Sequence, residues 1–276
     1  MFSAFTGVVS GLKNSDAVTV SYASTGAAAT AGVGNYDITV QSYTFTVGSA
    51  GNYNITTNTV TGGLKVNPAP LTIAANNKTM ILNGSLPVFD ATYSGFVLGQ
   101  GPGNLSGTLS CTTATNGTVV GSFPINCLGQ PSTNYAIMYK PGTLSVNYQT
   151  GGMCAGDVGH AIRQPINTDG SSVFKLGSTV PTKFAVCDAT GNSIGTSGVI
   201  KSYYLVAAGQ STGLSVDESI YSNTPDTAFR WDSTAQQWIF NQGTGKSTNL
   251  SQTNTIYVFN INLNDGTLLQ FQYGLK

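Results

Sequence analysis

The chain writes one phrase twice. Asn52-Tyr53-Asn54-Ile55 runs on to Gly63-Leu64-Lys65-Val66-Asn67, and about eighty residues later Asn134-Tyr135-Ala136-Ile137 runs on to Gly142-Thr143-Leu144-Ser145-Val146-Asn147. A period of that size, with strand-like text between the copies, marks tandem β-sandwich modules rather than one enzyme fold. Val18-Thr19-Val20-Ser21-Tyr22, Tyr36-Asp37-Ile38-Thr39-Val40 and Tyr43-Thr44-Phe45-Thr46-Val47 each alternate as a half-buried strand does, and helical periodicity is nearly absent. The expected fold class is all-β: tandem β-sandwich modules in an extended array, which the family resemblance given below makes immunoglobulin-like.

Proline and glycine set the boundaries. Asn67-Pro68-Ala69-Pro70 reads as a linker, because two prolines two apart do not suit a central strand. Tyr148-Gln149-Thr150-Gly151-Gly152 reads as a second linker, so the expected modules are 1–68, 69–147 and 150–276. In the third, Thr179 to Cys187 and Thr255 to Leu263 read as strands, and Asn264-Asp265-Gly266 as the hairpin turn before Leu268-Leu269-Gln270-Phe271-Gln272-Tyr273. Laying the first copy on the second aligns Phe5-Thr6-Gly7-Val8 with Tyr93-Ser94-Gly95-Phe96. The stretch before Tyr93, including the strand Leu71-Thr72-Ile73-Ala74, then has no counterpart in the first copy. Either the chain is a shortened or processed piece, or a neighbouring chain supplies the strand, as in donor-strand complementation. The open edge, with Phe5, Val8, Val18, Val20 and Tyr22, is an expected association site either way.

Composition narrows the function classes. Only 8% of residues are charged, against about a quarter in ordinary domains. Eleven basic and eleven acidic side chains cancel, which argues against nucleic acid or an anionic membrane as partner. Apolar content of 40%, with 13 tyrosines and 12 phenylalanines, argues against disorder. No apolar run approaches the roughly 18 residues of a membrane-spanning helix. Met1-Phe2-Ser3-Ala4-Phe5 lacks the basic start and apolar core of a secretory signal, so the chain reads as part of a longer secreted product. The four cysteines fall into local pairs, Cys111 with Cys127 and Cys154 with Cys187. Their spacing suits no metal site, and the even count favours two disulfides and an oxidising compartment over buried thiols. Each closed loop would contribute roughly 3 kcal/mol by chain entropy.

Residues 69–147 resemble the MBG-type immunoglobulin-like repeat of bacterial surface proteins. The matching text is Ala69-Pro70-Leu71-Thr72-Ile73-Ala74-Ala75-Asn76, Tyr93-Ser94-Gly95-Phe96-Val97, Val120-Gly121-Ser122-Phe123-Pro124-Ile125, and Asn134-Tyr135-Ala136-Ile137 through Val146. Asn83-Gly84 stands near the family's usual Tyr-Gly, so that turn departs from the pattern. Residues 1–68 resemble a shortened, more diverged copy. Residues 162–276 are similar to the PxKF domain that ends many large bacterial extracellular repeat proteins, on Leu176-Gly177-Ser178-Thr179-Val180-Pro181-Thr182-Lys183-Phe184, Phe229-Arg230-Trp231-Asp232, Gln237-Trp238-Ile239-Phe240-Asn241 and Leu263-Asn264-Asp265-Gly266-Thr267. The resemblances imply a secreted or surface-displayed repeat protein and supply no catalytic residue.

Catalytic inventories agree with that reading. His160, the one histidine, sits in a glycine-rich stretch without a nucleophile elbow, and phosphate-loop and dinucleotide fingerprints are missing. Asp217 and Glu218 are adjacent, so a strand would turn them to opposite faces, away from glycosidase geometry. No cofactor is expected. Calcium is the metal that suits the chain best, through Asp157, Asp169, Asp188, Asp226, Asp232 and Asp265, although turn-forming hydrogen bonds explain the same residues. Pro181 is expected at a strand start or bulge and Phe184 in the core. Phe229, Trp231, Trp238 and Phe240, each pair spaced by two, read as facing core rows of a hairpin. If exposed, one row would be a sugar-stacking platform or a subunit contact. Asn-x-Ser/Thr triplets begin at Asn54, Asn77, Asn83, Asn104, Asn116 and Asn249, as chance allows in so Asn-rich a chain. The expected function is non-catalytic and architectural: adhesion, matrix or fibre assembly outside the cell. Its expected partners are copies of itself, neighbouring modules or a surface glycan.

Overall fold

Alternating β-branched and aromatic residues give strands nearly throughout the computed structural model, which describes residues 4–210, 216 and 225–276. The first repeat has β1 (Ala17–Ala23), β2 (Gly34–Val47) and β3 (Val60–Val66), an antiparallel sheet in the order β1-β2-β3. β2 is one strand of 14 residues where the sequence suggested two. Its C-terminal part pairs with β1 (Val20↔Tyr43, Tyr22↔Val40) and its N-terminal part with β3 (Asn35↔Lys65, Tyr36↔Leu64). Gln41-Ser42 has no glycine, proline or positive φ to break the strand.

The second repeat has β4 (Ala69–Ala75), β5 (Lys78–Ile81), β6 (Ala91–Ser94), β7 (Ser110–Thr113), β8 (Gly121–Leu128), β9 (Tyr135–Lys140) and β10 (Gly142–Asn147). They form two sheets, β6-β4-β9 and β5-β10-β8-β7. The opening segment therefore serves both. β4 lies parallel to β9 (Leu71↔Ile137, Ile73↔Tyr139), and after Asn76-Asn77 β5 lies parallel to β10 (Leu144↔Lys78, Val146↔Met80). The linker expected at residues 67–70 is shorter than the sequence suggested, because Pro70 is the second residue of β4 and pairs with Ala136. A proline is tolerated there at the beginning of the strand.

The C-terminal segment has the small hairpin β11 (Met153–Cys154) and β12 (Asp157–Val158). Two four-stranded sheets follow, from β13 (Ile162–Arg163), β14 (Val173–Phe174), β15 (Thr179–Phe184), β16 (Ile200–Gln210), β17 (Arg230–Asp232), β18 (Gln237–Gly243), β19 (Thr255–Leu263) and β20 (Leu268–Leu275). Their orders are β13-β15-β18-β17 and β14-β20-β19-β16. Tyr203 of β16 ties the sheets together, its ring 5.3 Å from both Phe229 and Phe240 and stacked on Phe259. Pro181 is the third residue of β15 rather than its start. β13 pairs only with Lys183 and Phe184, so β18 alone flanks the stretch around Pro181. Phe184 is fully buried, as expected.

Contacts divide the chain into two compact units. One contains residues up to Ala74 with Ala91–Ser110 and Cys127–Lys140; the other contains Ala75–Asp90, Cys111–Asn126 and Pro141–Lys276. In the first unit, Leu71, Ile73, Leu105 and Tyr135 form a buried cluster. In the second, Tyr148, expected in a linker, is only 2% exposed. Its N–H donates to Asp265 Oδ2 (3.0 Å) and its hydroxyl to Asn264 Oδ1 (2.8 Å). Asn83 Nδ2 donates to Asp188 Oδ2, and Ala189 N–H to the Leu82 carbonyl, each at 2.9 Å. The end of the second repeat is thus built into the C-terminal domain. Replacing Ile73 by Ala should destabilise β4 and β9 by about 2–5 kcal/mol, whereas Ile38→Ala, at a half-buried site, should cost about 1 kcal/mol or less. Native-state hydrogen exchange of the two variants checks the difference.

Candidate functional site

The site is defined by what the first repeat does not bury. Among the described residues 4–68 only Gly26 is buried, although Val18, Val20, Tyr22, Ile38, Val40, Leu64 and Val66 alternate correctly along their strands. They are half-covered, and Val8, Val47 and Val60 are 94%, 53% and 57% exposed. The second repeat buries Leu71, Ile73, Met80, Ile125, Tyr135, Leu144 and Val146. The difference follows from β4 and β5. Residues 54–59, which correspond to β9, form no strand, and neither do residues 4–10, which correspond to β6. β10 lies between β5 and β8, whereas β3 has β2 alone as its neighbour in its sheet. Without a central strand to bond to, the flanking segments have no ladder to join.

Of the residues expected at the open edge, Val18, Val20 and Tyr22 lie on β1 and Phe5 and Val8 in irregular chain. Gly7 passes over the Tyr22 ring so closely that a Cβ there would sit 2.2 Å from the hydroxyl. The inner face of β1 therefore looks toward the N-terminal segment, and β1 and β3 are the two edge strands of the sheet.

Other expected residues serve structure. Cys154 and Cys187 are joined, with Cα atoms 5.6 Å apart, and Cys111 and Cys127 are disulfide-bonded too, leaving no free cysteine. Trp231 and Trp238 face each other across β17 and β18 at 5.5 Å, and Phe229 and Phe240 at 5.2 Å. Trp238 is buried and donates to the Ile194 carbonyl, and Trp231 lies against Gly195, so the rows turn inward. Beside them a cavity of about 1180 Å³ is lined by Tyr203, Phe229, Trp238, Phe240 and Phe259, with no charged side chain among the described residues of its wall. The six aspartates are dispersed. Asp169, Asp232 and Asp265 accept from backbone N–H groups two residues on, Asp188 does so from Thr190 and Asn192, and Asp157 and Asp226 lie near Arg163 and Arg230. Among the described residues no three acidic, histidine or cysteine side chains converge as a metal site would require. Asp217 and Glu218 lie outside the described residues. Among the described residues no helix is long and apolar enough to cross a membrane.

Residues 2–65 and 71–145 both match the MBG domain (YGX type). The chain belongs to this family. No curated protein matches it. Among solved structures, domains 4 and 5 of the S-layer protein SbsC are 11% identical, covering 67% of this chain and 81% of that one, with a TM-score of 0.21. Titin domains Z1Z2, in a complex with telethonin, are 14% identical over 76% of this chain and 96% of that one, TM-score 0.21. The extracellular domain of protocadherin gammaB4 is 13% identical over 88% of this chain and 39% of that one, TM-score 0.20.

Within the two MBG repeats the tyrosine of the repeated phrase does the same work. Tyr135 donates to Gln100 Oε1 and accepts from Val97 N–H; Tyr53 donates to Asp16 Oδ2 and accepts from Lys13 N–H. Each hydroxyl pins the loop after the β6 position. The sequence missed the contacts of Asn83, Tyr148, Asp188 and Asp265, since side chains far apart in the chain leave no periodic signal. Burial pushes the Tyr148 phenol up to about 12. Burial also works against ionisation of Asp188, but bonds from Asn83, Thr190 and Asn192 outweigh it and hold the carboxyl below its usual range. Burial lowers His160, whose Nδ1 makes no hydrogen bond, and the Asp265 charge only partly offsets this.

Amides of residues 53–59 should exchange at least about tenfold faster than those of Tyr135–Lys140 in the free chain, by hydrogen–deuterium exchange. The C-terminal domain should also lose stability as pH falls. His160 is harder to protonate folded than unfolded, so its contribution is complete above about pH 6.5 and declines below it. His160→Asn, which keeps the left-handed backbone (φ 58), should flatten that part of a Tm–pH curve.

Proposed function

We propose that this protein is a non-catalytic structural array of a secreted or surface-displayed bacterial protein, and that it assembles through the open face of its first MBG repeat. One observation carries the reading: residues 4–68 bury no hydrophobic side chain although they have the strand pattern to do so. A sheet whose apolar face is half-covered and whose edge strand is unpaired favours addition of further polypeptide. Low charge leaves little repulsion to oppose it. The disulfides favour an oxidising, extracellular setting. The C-terminal domain is read as PxKF-type, with Phe184 in the core and the tryptophan pair across its hairpin in support. A second, ligand-binding role is favoured by the aromatic cavity beside Phe229 and Phe240, whose uncharged wall suits a neutral sugar of a surface glycan.

Sedimentation velocity at low salt should show concentration-dependent association of the full chain, weakened by Val60→Lys on β3. A chain that stays monomeric at all concentrations, with slow amide exchange at residues 53–66, would count against the assembly reading. Tryptophan fluorescence during titration with neutral oligosaccharides tests the cavity; no change at millimolar sugar would remove that role.

A further inference from the structure

We infer that the second repeat holds a binding site for a neutral sugar, built from the inward side of β9 and the loop before it, with the Gln130 side-chain amide as its polar anchor. The site shares no residue with the aromatic cavity of the C-terminal domain, and it does not rest on the assembly reading. All of its residues belong to one compact unit.

Alternation along the strand builds the wall. Tyr135, Ile137 and Tyr139 fall on the inward side of β9, where Tyr135 is buried and the other two are half-buried. With Gln130, Pro131 and Ser132 they line a pocket of about 420 Å³. That volume is at the lower end of the range of small-molecule sites, roughly 300–1,000 Å³. No charged side chain is present among the described residues of the wall. β9 is an edge strand of the sheet β6-β4-β9, so no further strand of that sheet covers the pocket.

The phenols around the pocket are already engaged. Tyr139 Oη donates to the Gln130 carbonyl (3.1 Å) and accepts from the Gln130 N–H (2.9 Å). Tyr93 donates to Gln130 Oε1 and Tyr135 to Gln100 Oε1, each at 2.6 Å. Gln130 is thus held at its N–H, its carbonyl and its Oε1, and only 8% of the residue is exposed. Its remaining group, Nε2, bonds to no described residue and is not sealed from solvent, so it faces the pocket that Gln130 lines. An amide donor on so buried a side chain gains more from an oxygen acceptor than a surface amide does. Ser132 Oγ accepts from Asn134 N–H (3.1 Å) and keeps its own proton for a second bond.

These parts fit a sugar ring. Two donors meet its hydroxyl and ring oxygens, while Tyr139, Ile137 and Pro131 offer apolar surface to its C–H faces. An uncharged wall gives a carboxylate or phosphate nothing to pair with. Phenols fixed before binding leave little to be ordered when the ligand arrives. The first repeat serves as an internal comparison. Counted from the shared phrase, Tyr53 and Ile55 stand where the second repeat has Tyr135 and Ile137, but Gly48 and Thr57 stand where it has Gln130 and Tyr139. The shared residues serve the fold; the anchor and the tyrosine that holds it are the second repeat's own.

The test uses the full chain, isotope-labelled for NMR and titrated with cellobiose, maltose and N,N′-diacetylchitobiose. At millimolar sugar the Gln130 side-chain amide signals and the backbone amides of Tyr135–Lys140 should shift together for at least one probe. Gln130→Glu keeps an oxygen for Tyr93 but removes the donor, and should weaken binding about tenfold or more while amide exchange along β9 stays as in the parent chain. No shift at Gln130 with any of the three sugars would overturn the site, and that measurement needs no variant. Full affinity in a folded Gln130→Glu chain would overturn the anchor. Shifts with poly-L-proline and none with the sugars would make the pocket a peptide groove and remove the sugar. Both tryptophans, Trp231 and Trp238, belong to the C-terminal domain. A fluorescence change without shifts at Gln130 would therefore support the cavity reading and remove this one.

Discussion

Parallel pairing of a repeat's opening segment with its closing strands is the interaction on which the MBG repeat depends. β4 and β5 are short, yet each is bonded to a strand from the far end of the repeat, so between them they close both sheets. The consequence is visible because one chain contains the experiment and its control. With the opening segment in place, residues 135–140 are a strand and Leu144 and Val146 are sealed from water. In the first repeat, the corresponding text forms no strand at residues 54–59, and Leu64 and Val66 are only half-covered. Local text contributes, since Thr56, Thr57 and Asn58 stand where the second repeat has Met138, Tyr139 and Lys140, and long-range pairing adds to it, as the context dependence of β propensity allows.

That dependence also explains what a reader of the sequence could and could not see. Strand existence was legible wherever alternation was strict: Thr255 to Leu263 matches β19 end to end, and the turn at Asp265-Gly266 follows from the glycine's positive φ of 86. The inward rows of Phe229, Trp231, Trp238 and Phe240 were legible from their spacing, because period two puts such residues on one face. Boundaries set by proline were less reliable. Pro70 and Pro181 each lie inside a strand, in stretches where one missing N–H does little harm, and composition alone does not report on that. The correspondence of Phe5-Thr6-Gly7-Val8 with Tyr93-Ser94-Gly95-Phe96 was visible from the comparison of the copies. In the first repeat's sheet β1 and β3 both lie at an edge, and alternation alone does not tell an edge strand from a central one.

The chain's polar chemistry is arranged to match. With so few charges available, the loops are held by Asn, Gln, Tyr and Asp side chains bonded to backbone groups, which need no counter-ion and little desolvation. Asp188 shows the logic. Its carboxylate is satisfied by Asn83, Thr190 and Asn192 rather than by a cation, so it stays ionised in a buried site. The repeated tyrosines do similar work with a hydroxyl that both donates and accepts.

The bonds between the second repeat and the C-terminal domain affect how such a protein can change over evolutionary time. Tandem modules are commonly shuffled as cassettes, which works when the seams are sequence-neutral. The seam at Tyr148 is not. It joins Tyr148 to Asn264 and Asp265, and Asn83 to Asp188, across more than a hundred residues of chain. A recombination that swapped the last repeat for another copy would strand these partners unless the newcomer brought the same asparagine and tyrosine. The second repeat and the C-terminal domain should therefore be inherited as one block, while the first repeat, away from that seam, is freer to be duplicated or lost.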